Sequence, residues 1–400
     1  MEQTDVTAVR KSKKFDDAVA IASAIDNAEI ATATEADKLP VPPKEKAKKK
    51  KRDFVDPNTM AYPITNDMAS FVRPDLASHF DELRIVRQMF SQFQEGELRI
   101  NAMIGAKERE GVVPTRKMIE LYNSMVDMEI KAEKVILEVL EGLPIWNNYL
   151  INVKGCAARI ASMILVQMKD VARFSTISAL WSYCGLTSSY VVAQCEGHID
   201  PKTKKRVGVH KMLMSSDQHH TTCPVMCKHE DEIVDGEEMS FDPSEKRVCG
   251  QPLTIIERVT NKAPKRRKGY HFLFNTKLKT AAWKLSNQFV KQGSDFYKEI
   301  YKNRKALDTA KYITGDKKTD YSKGHINNMA LRKLSKIFLA NLWLNWRVME
   351  GLPIRAPYSI EYLGHTTLLL DPAGNVDAIL KGIEDHNRRN QKPLNLVVNG

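Results

Sequence analysis

The sequence predicts a mainly α protein: a helical arm and a helix-hairpin-helix core, interrupted by a Cys/His-rich insertion with donors for zinc. Three observations predict it. Apolar residues recur at helical spacing in several long stretches. A Lys-Gly-Cys-Ala turn at 154–157 precedes a further apolar helix. Four of the six Cys and five of the ten His fall between Cys195 and Cys249. The chain has 400 residues, enough for two or three domains, and 42% apolar residues, enough for a real core. Its 61 basic against 49 acidic side chains leave a net charge of +12, which favours a polyanionic partner. No segment is long and apolar enough to span a bilayer, and the N-terminus has no hydrophobic leader, so membrane is excluded as a partner. The expected setting is a reducing cytoplasm, nucleoid-associated or in a phage-infected cell, where the Cys form no disulfide framework.

Residues 1–60 read as a disordered basic tail. Three Pro at positions 40, 42 and 43 forbid a continuous helix, and Lys44–Arg52 carries seven bases and one acid. This run is either a plain solvated segment or an arm that seeks nucleic acid. Residues 80–145 form the helical arm. Leu83, Val86, Phe90 and Phe93 lie on one helical face, Met118, Leu121, Met125, Met128, Ile136 and Val139 on a second, and Gly142 and Pro144 end it. The stripes meet either within one chain, as a hairpin, or between subunits of a homo-oligomer, as a coiled coil. Residues 146–194 form the core, 195–269 the insertion, and 270–352 the helical continuation, with periodicity in Lys277–Lys291 and Ile326–Glu350. Residues 353–400 form a C-terminal extension with short β-like runs at Thr366–Leu370 and Leu396–Val398, and no periodicity places it.

The turn in Ile151–Ser162 carries the first chemistry. Gly155 lets the chain turn sharply, and the helix opening near Cys156 and Ala157 points its positive end at an anion, with Lys154 and Arg159 adding charge. Such contacts read a phosphate backbone, not a base sequence. A glycine before a helix is also an ordinary turn.

The adjoining stretch extends the pattern. Met163–Leu186, with its Lys169–Asp170 and Phe174–Ser175 turn and its Tyr183–Cys184–Gly185–Leu186 close, resembles the C-terminal domain of the insertion sequence one-ten family of transposases. So does the later block Lys277–Lys284 with Phe296, Tyr297, Tyr301, His325 and Ala330–Lys333. The order is most similar to a phage- and archaea-associated branch without the N-terminal ribonuclease-H-like domain, and Gln92–Ile100 also resembles that branch. The resemblance covers roughly 85–190 and 270–350 and implies a DNA-binding protein of a mobile element or phage, with DNA recombination as the family activity. Two departures stand out. The family's second turn glycine is Ala157 here. The family's nucleophilic serine lies beyond Ser188 and Ser189, which are the candidates that remain and otherwise read as turn residues. Mg²⁺ is expected only if the chain is catalytic, since nothing before Asp81 has the pattern of an acidic metal site.

Zinc takes four N or S ligands in a tetrahedron, often from pairs two to four residues apart. The insertion offers Cys195-x-x-His198, Cys223-x-x-x-Cys227 and a Cys249–Gly250 knuckle. The expected ligands of a structural zinc are Cys195, Cys223, Cys227 and Cys249, with His198 or His229 as alternates. Basic residues then flank aromatic ones: Arg266, Arg267 and Lys268 precede Tyr270 and Phe272. Lys277, Lys284 and Lys291 form a stripe beside a buried face, and Arg332, Lys333 and Lys336 repeat the arrangement. The functional expectation is binding of DNA, with structured RNA as the other ligand of the same chemistry. Strand transfer and non-catalytic scaffolding are the competing readings.

Overall fold

The computed structural model describes residues 74–389 and 397–399, apart from short stretches at 200–205, 216–220, 229–231, 235–236, 240–245, 261–263, 265–266, 315–320 and 363–364. The tail and its run Lys44–Arg52 lie outside the described residues. All described residues belong to one unit, Asp56–Gly400.

Helix α1 (Pro74–Arg109) starts on a proline, whose missing N–H is no loss in a first turn. Gly111, at φ +80°, reverses the chain, and Thr115 caps α2 (Arg116–Glu141) by accepting from the Met118 amide. The two helices pair antiparallel, burying Leu83 and Phe90 on α1 and Ile136 and Leu140 on α2. Toward the tip, Gln94 donates to Glu129, Tyr122 donates to Glu97, and Gly96 leaves room for Met125. The stripe at Leu83–Phe93 and the Ile136–Val139 end of the second stripe pack within one chain as a hairpin, while Met118, Leu121 and Met128 of that second stripe are exposed.

Short α3 (Pro144–Asn148) and a 3-10 turn (Leu150–Asn152) lead to α4 (Ala158–Met168), whose Ala161, Ile164, Leu165 and Met168 are buried. Thr176 caps α5 (Ile177–Tyr183) through the Ala179 amide. A sheet module intervenes, and then come α6 (Thr276–Gln292), α7 (Asp295–Thr309) and α8 (Lys323–Met349). Helix α8 runs through the middle of the core and is buried almost continuously from Ala330 to Arg347. Its Trp343 indole and its Arg347 guanidinium both donate to the Phe174 carbonyl, tying the central helix to the turn before α5.

Residues 353–389 are an integral part of this core. Ile354, Ile360, Leu368, Leu370, Ile379 and Ile383 share one apolar cluster with α4 and α8. Strand β11 (Thr367–Leu369) pairs parallel with β12 (Val397–Asn399), and α10 (Val376–Arg389) packs on α8 after the four-residue helix α9 (Tyr358–Glu361). The intervening turn is held by two asparagines of α8: Asn341 accepts from the Asp371 amide and Asn345 from the Asn375 amide.

The sheet module starts sooner along the chain than the Cys content suggests, at β1 (Ser189–Cys195). Its other strands are β2 (His198–Ile199), β3 (Arg206–Val207), β4 (Lys211–Ser215), β5 (Met226–Lys228), β6 (Glu232–Val234), β7 (Glu237–Met239), β8 (Lys246–Val248), β9 (Leu253–Thr260) and β10 (Tyr270–Phe272). Four of them form a mixed sheet in the order β10-β4-β1-β9, antiparallel except for the parallel β10–β4 pair. Two small apolar clusters lie on its faces, one with Tyr190, Val192 and Phe274, the other with Val191, Ala193, Met212 and three cysteines. The protein is thus mostly helical, with a small mixed sheet.

Candidate metal centre

The register of β1 and β4 builds one side of the centre. Gln194 pairs with Lys211, so the next pair out sets Cys195 opposite His210. The Cys195 amide donates to the His210 carbonyl at 3.1 Å, and the His210 amide donates to Cys195 Sγ at 3.1 Å. The other side is a pair of reciprocal turns. The Cys223 amide donates to the Gln251 carbonyl at 2.8 Å, and the Cys249 amide donates to the Val225 carbonyl at 2.8 Å. Each turn also brings the amide two residues on to its own cysteine: Val225 bonds Cys223 and Gln251 bonds Cys249. Gly250, at φ +64°, allows the second turn to close.

Together these elements gather Cys195, His210, Cys223 and Cys249. Cys195 Sγ and Cys223 Sγ each lie 3.5 Å from His210 Nδ1, and Cys249 Sγ lies 3.9 Å from Cys195 Sγ. All four donor atoms fall within 4.8 Å of one another. A tetrahedral zinc ion, with Zn–S ~2.3 Å and Zn–N ~2.0 Å, sets edges of roughly 3.8 Å between sulfurs and roughly 3.5 Å from sulfur to nitrogen. The observed spacings fit those edges. The three thiols are buried, and burial pushes Cys223 and Cys249 upward as thiols, while the Val225 and Gln251 amides pull the other way. A bound cation would reverse the first effect, since a coordinated thiol loses its proton. Four protein donors leave no open position, so the cluster is consistent with a structural metal such as zinc.

Three of the four expected ligands are in place, and the fourth position belongs to His210. The side chains of Cys227, His198 and His229 lie outside the described residues. Cys227 itself stands in β5, where its backbone pairs with Arg247 of β8. Among the described residues, the thiol that joins Cys223 is Cys249, across the module. His210 escapes a search for close pairs because it reaches Cys195 through strand pairing, over fifteen positions. The signal that could have found it was the apolar run Tyr190–Cys195 followed, after Gly208, by a second run at Met212–Met214.

The residues expected to meet phosphate separate into three groups. Lys154, Lys268, Lys277, Lys284, Lys291 and Lys333 are exposed. Arg159, Arg332, Lys336 and Arg267 are engaged within the protein. Arg159 makes a two-pronged bond to Glu133 at 2.6 and 2.7 Å and lies 3.2 Å from Glu129, so its charge docks α4 onto the arm. Arg332 donates to the carbonyls of Leu186 and Thr187, Lys336 sits 4.0 Å from the Trp181 ring centroid, and Arg267 donates to the Tyr190 hydroxyl. Arg266 lies outside the described residues. At the turn itself, Cys156 is buried, and burial followed by Asp371 pushes its thiol up to about 12. A Cβ on Gly155 (φ +99°) would lie 3.3 Å from the Phe289 ring and 3.6 Å from Gly293, so this glycine faces the end of α6 rather than solvent. Ala157 opens α4 without a side-chain cap. Ser188 is exposed, and Ser189 begins β1 opposite Thr260.

No helix among the described residues is long and apolar enough to cross a membrane. No protein family's sequence model matches the chain, and no curated protein and no solved structure matches it either.

Proposed function

We propose that the protein binds nucleic acid, duplex DNA first, along its phosphate backbone, as a transposase-related protein whose sheet module is held by one zinc ion. One juxtaposition carries the reading. The Lys154–Ala157 turn abuts the C-terminal end of α6, with the Gly155 position 3.7 Å from Gln288, and the outer face of α6 bears Lys277, Lys284 and Lys291. No acidic side chain pairs with these three lysines among the described residues. Seven helical residues span about 10.5 Å. That equals about three base-pair steps along the duplex axis, at about 3.4 Å each. Lys154 and the uncapped start of α4 continue the line at its end, where backbone N–H groups favour an anion.

The test is duplex affinity, read by fluorescence anisotropy, against salt. Each neutralised phosphate contributes about 0.9 to the log–log slope. A Lys277→Gln, Lys284→Gln, Lys291→Gln variant with an unchanged circular dichroism spectrum should therefore lose up to about 2.7 of that slope. A wild-type slope near zero, or a folded variant with the wild-type slope, counts against the reading. The zinc assignment is checked separately by elemental analysis, where about one zinc per chain is expected.

A further inference from the structure

Four of the five tryptophans are tied into the helical core. Trp146, Trp343 and Trp346 are buried, and Trp181 donates its indole N–H to the Lys336 carbonyl at 3.0 Å. Trp283 differs. It is 38% exposed on α6, and among the described residues its indole meets no hydrogen-bond acceptor, no second ring and no cation. Packing of the helix falls to other positions, since α6 buries Leu278, Ala282, Leu285 and Phe289. Successive residues turn by about 100°, which places Trp283 beside the line of Lys277, Lys284 and Lys291 rather than on it. On a helix about 10–12 Å across with its side chains, that arc sets the indole roughly 8 Å from the lysine row. Between them stand Thr280 and Asn287. They bond back to the carbonyls of Thr276 and Trp283 at 2.9 and 3.0 Å, so both side chains lie low along the helix.

We propose that Trp283 stacks on an unpaired base of DNA whose backbone follows the lysine row, a step that rests on the phosphate track described above. The preferred ligand is then a duplex interrupted by a single-stranded gap. The charges select a polyanion as the occupant. Lys277, Lys284 and Lys291 are exposed, and no acidic side chain pairs with them among the described residues. A protein partner laid over the indole would bring these cations into its interface, and interface centres are depleted in charge. A nucleic-acid strand needs them there. Each base hangs from its phosphate through one sugar, and the low polar strip of Thr280 and Asn287 leaves room for that sugar between cation and ring. The indole then selects the form of the strand. Bases inside an intact duplex are stacked on both faces and offer it nothing, whereas an unpaired base presents an open face, whatever its identity.

The experiment measures the affinity of the full chain, by fluorescence anisotropy at fixed salt, for one duplex intact and with a central gap of about four nucleotides. Wild type should bind the gapped DNA about tenfold more tightly, the scale of one base–aromatic stack. In Trp283→Ala that ratio should fall to near one. Trp283→Phe should keep most of it, and Trp283→Leu, which has bulk but no ring, should not. Should the alanine disturb the circular dichroism spectrum, the leucine variant carries the test. Gapped DNA should also quench an indole emission in wild type that Trp283→Phe lacks. Equal affinity for the two DNAs with a steep salt dependence leaves the lysine track standing and overturns the stack. A preference that survives in folded Trp283→Ala or Trp283→Leu also overturns it. No binding to either DNA overturns track and stack together.

Discussion

Glu129 is 6% exposed between the arm helices, and burial followed by its hydrogen bond with Glu97 pushes the carboxyl up to about 7 from an ordinary 4.5. Arg159 and Gln94 oppose that rise without cancelling it. The folded pKa lies above the unfolded one. The group therefore supports the folded state below about pH 4.5, and that support is lost as pH rises through about 7. Glu129→Gln should gain in Tm relative to wild type between pH 5 and pH 8. A difference that stays constant across that range would show that the carboxyl does not titrate in the folded protein. At this scale the thiols of the module were legible in the sequence, because cysteines cluster for few reasons. The roles of Arg159 and Arg332 were not. A basic residue on a stripe looks the same whether it faces solvent, a carboxylate or a carbonyl, and only tertiary packing supplies Glu133 and the Leu186 carbonyl.

Helix α8 does more than bury apolar surface. Asn341 and Asn345, one turn apart, hold the backbone of 371–375, and a Cβ on Gly374 would fall 2.5 Å from the Asn345 amide. Gly374→Ala should therefore cost about 2 kcal/mol in urea unfolding, through the lost Asn345 contact and the strain of making room. A variant as stable as wild type would mean that the turn yields freely. The elements were legible where their periodicity was strong, as in α1, α2, α6 and α8. Strand β1 was not, because Tyr190–Ala193 is buried throughout and so lacks the alternation of a half-exposed strand. The C-terminal residues were unreadable for a related reason: short segments gain their structure from α8 and not from their own pattern.

Over the whole molecule, the Cys3His cluster and the helical core are separate assemblies of side chains. The four donors span Cys195 to Cys249, and the apolar cluster around them shares no residue with the large core. Chelation should raise amide hydrogen exchange in β1, β4 and the Cys223 and Cys249 turns, because metal binding to such a module is part of its folding free energy. The amides of α4, α6 and α8 should keep their protection. Exchange rising equally in both regions would mean that the module and core unfold as one.

The chain leaves the helical core at Leu186 and returns at Phe274, and the two ends meet, while Ser215 and Pro264 further along the module bond to Ser182 and Lys279 of the core. Where the ends meet, the Asn275 amide donates to the Tyr183 carbonyl at 2.6 Å, and the Gly185 position lies against the Phe274 ring. Everything between is a detour whose ends the core already holds together. The entropy of closing such a loop grows only with the logarithm of its length, so lengthening the detour costs the core little. That arrangement gives the module an evolutionary freedom that the rest of the chain lacks. Residues can be gained or shed in its outer turns, and its surface can diverge quickly, while α4, α5, α6 and α8 keep their packing.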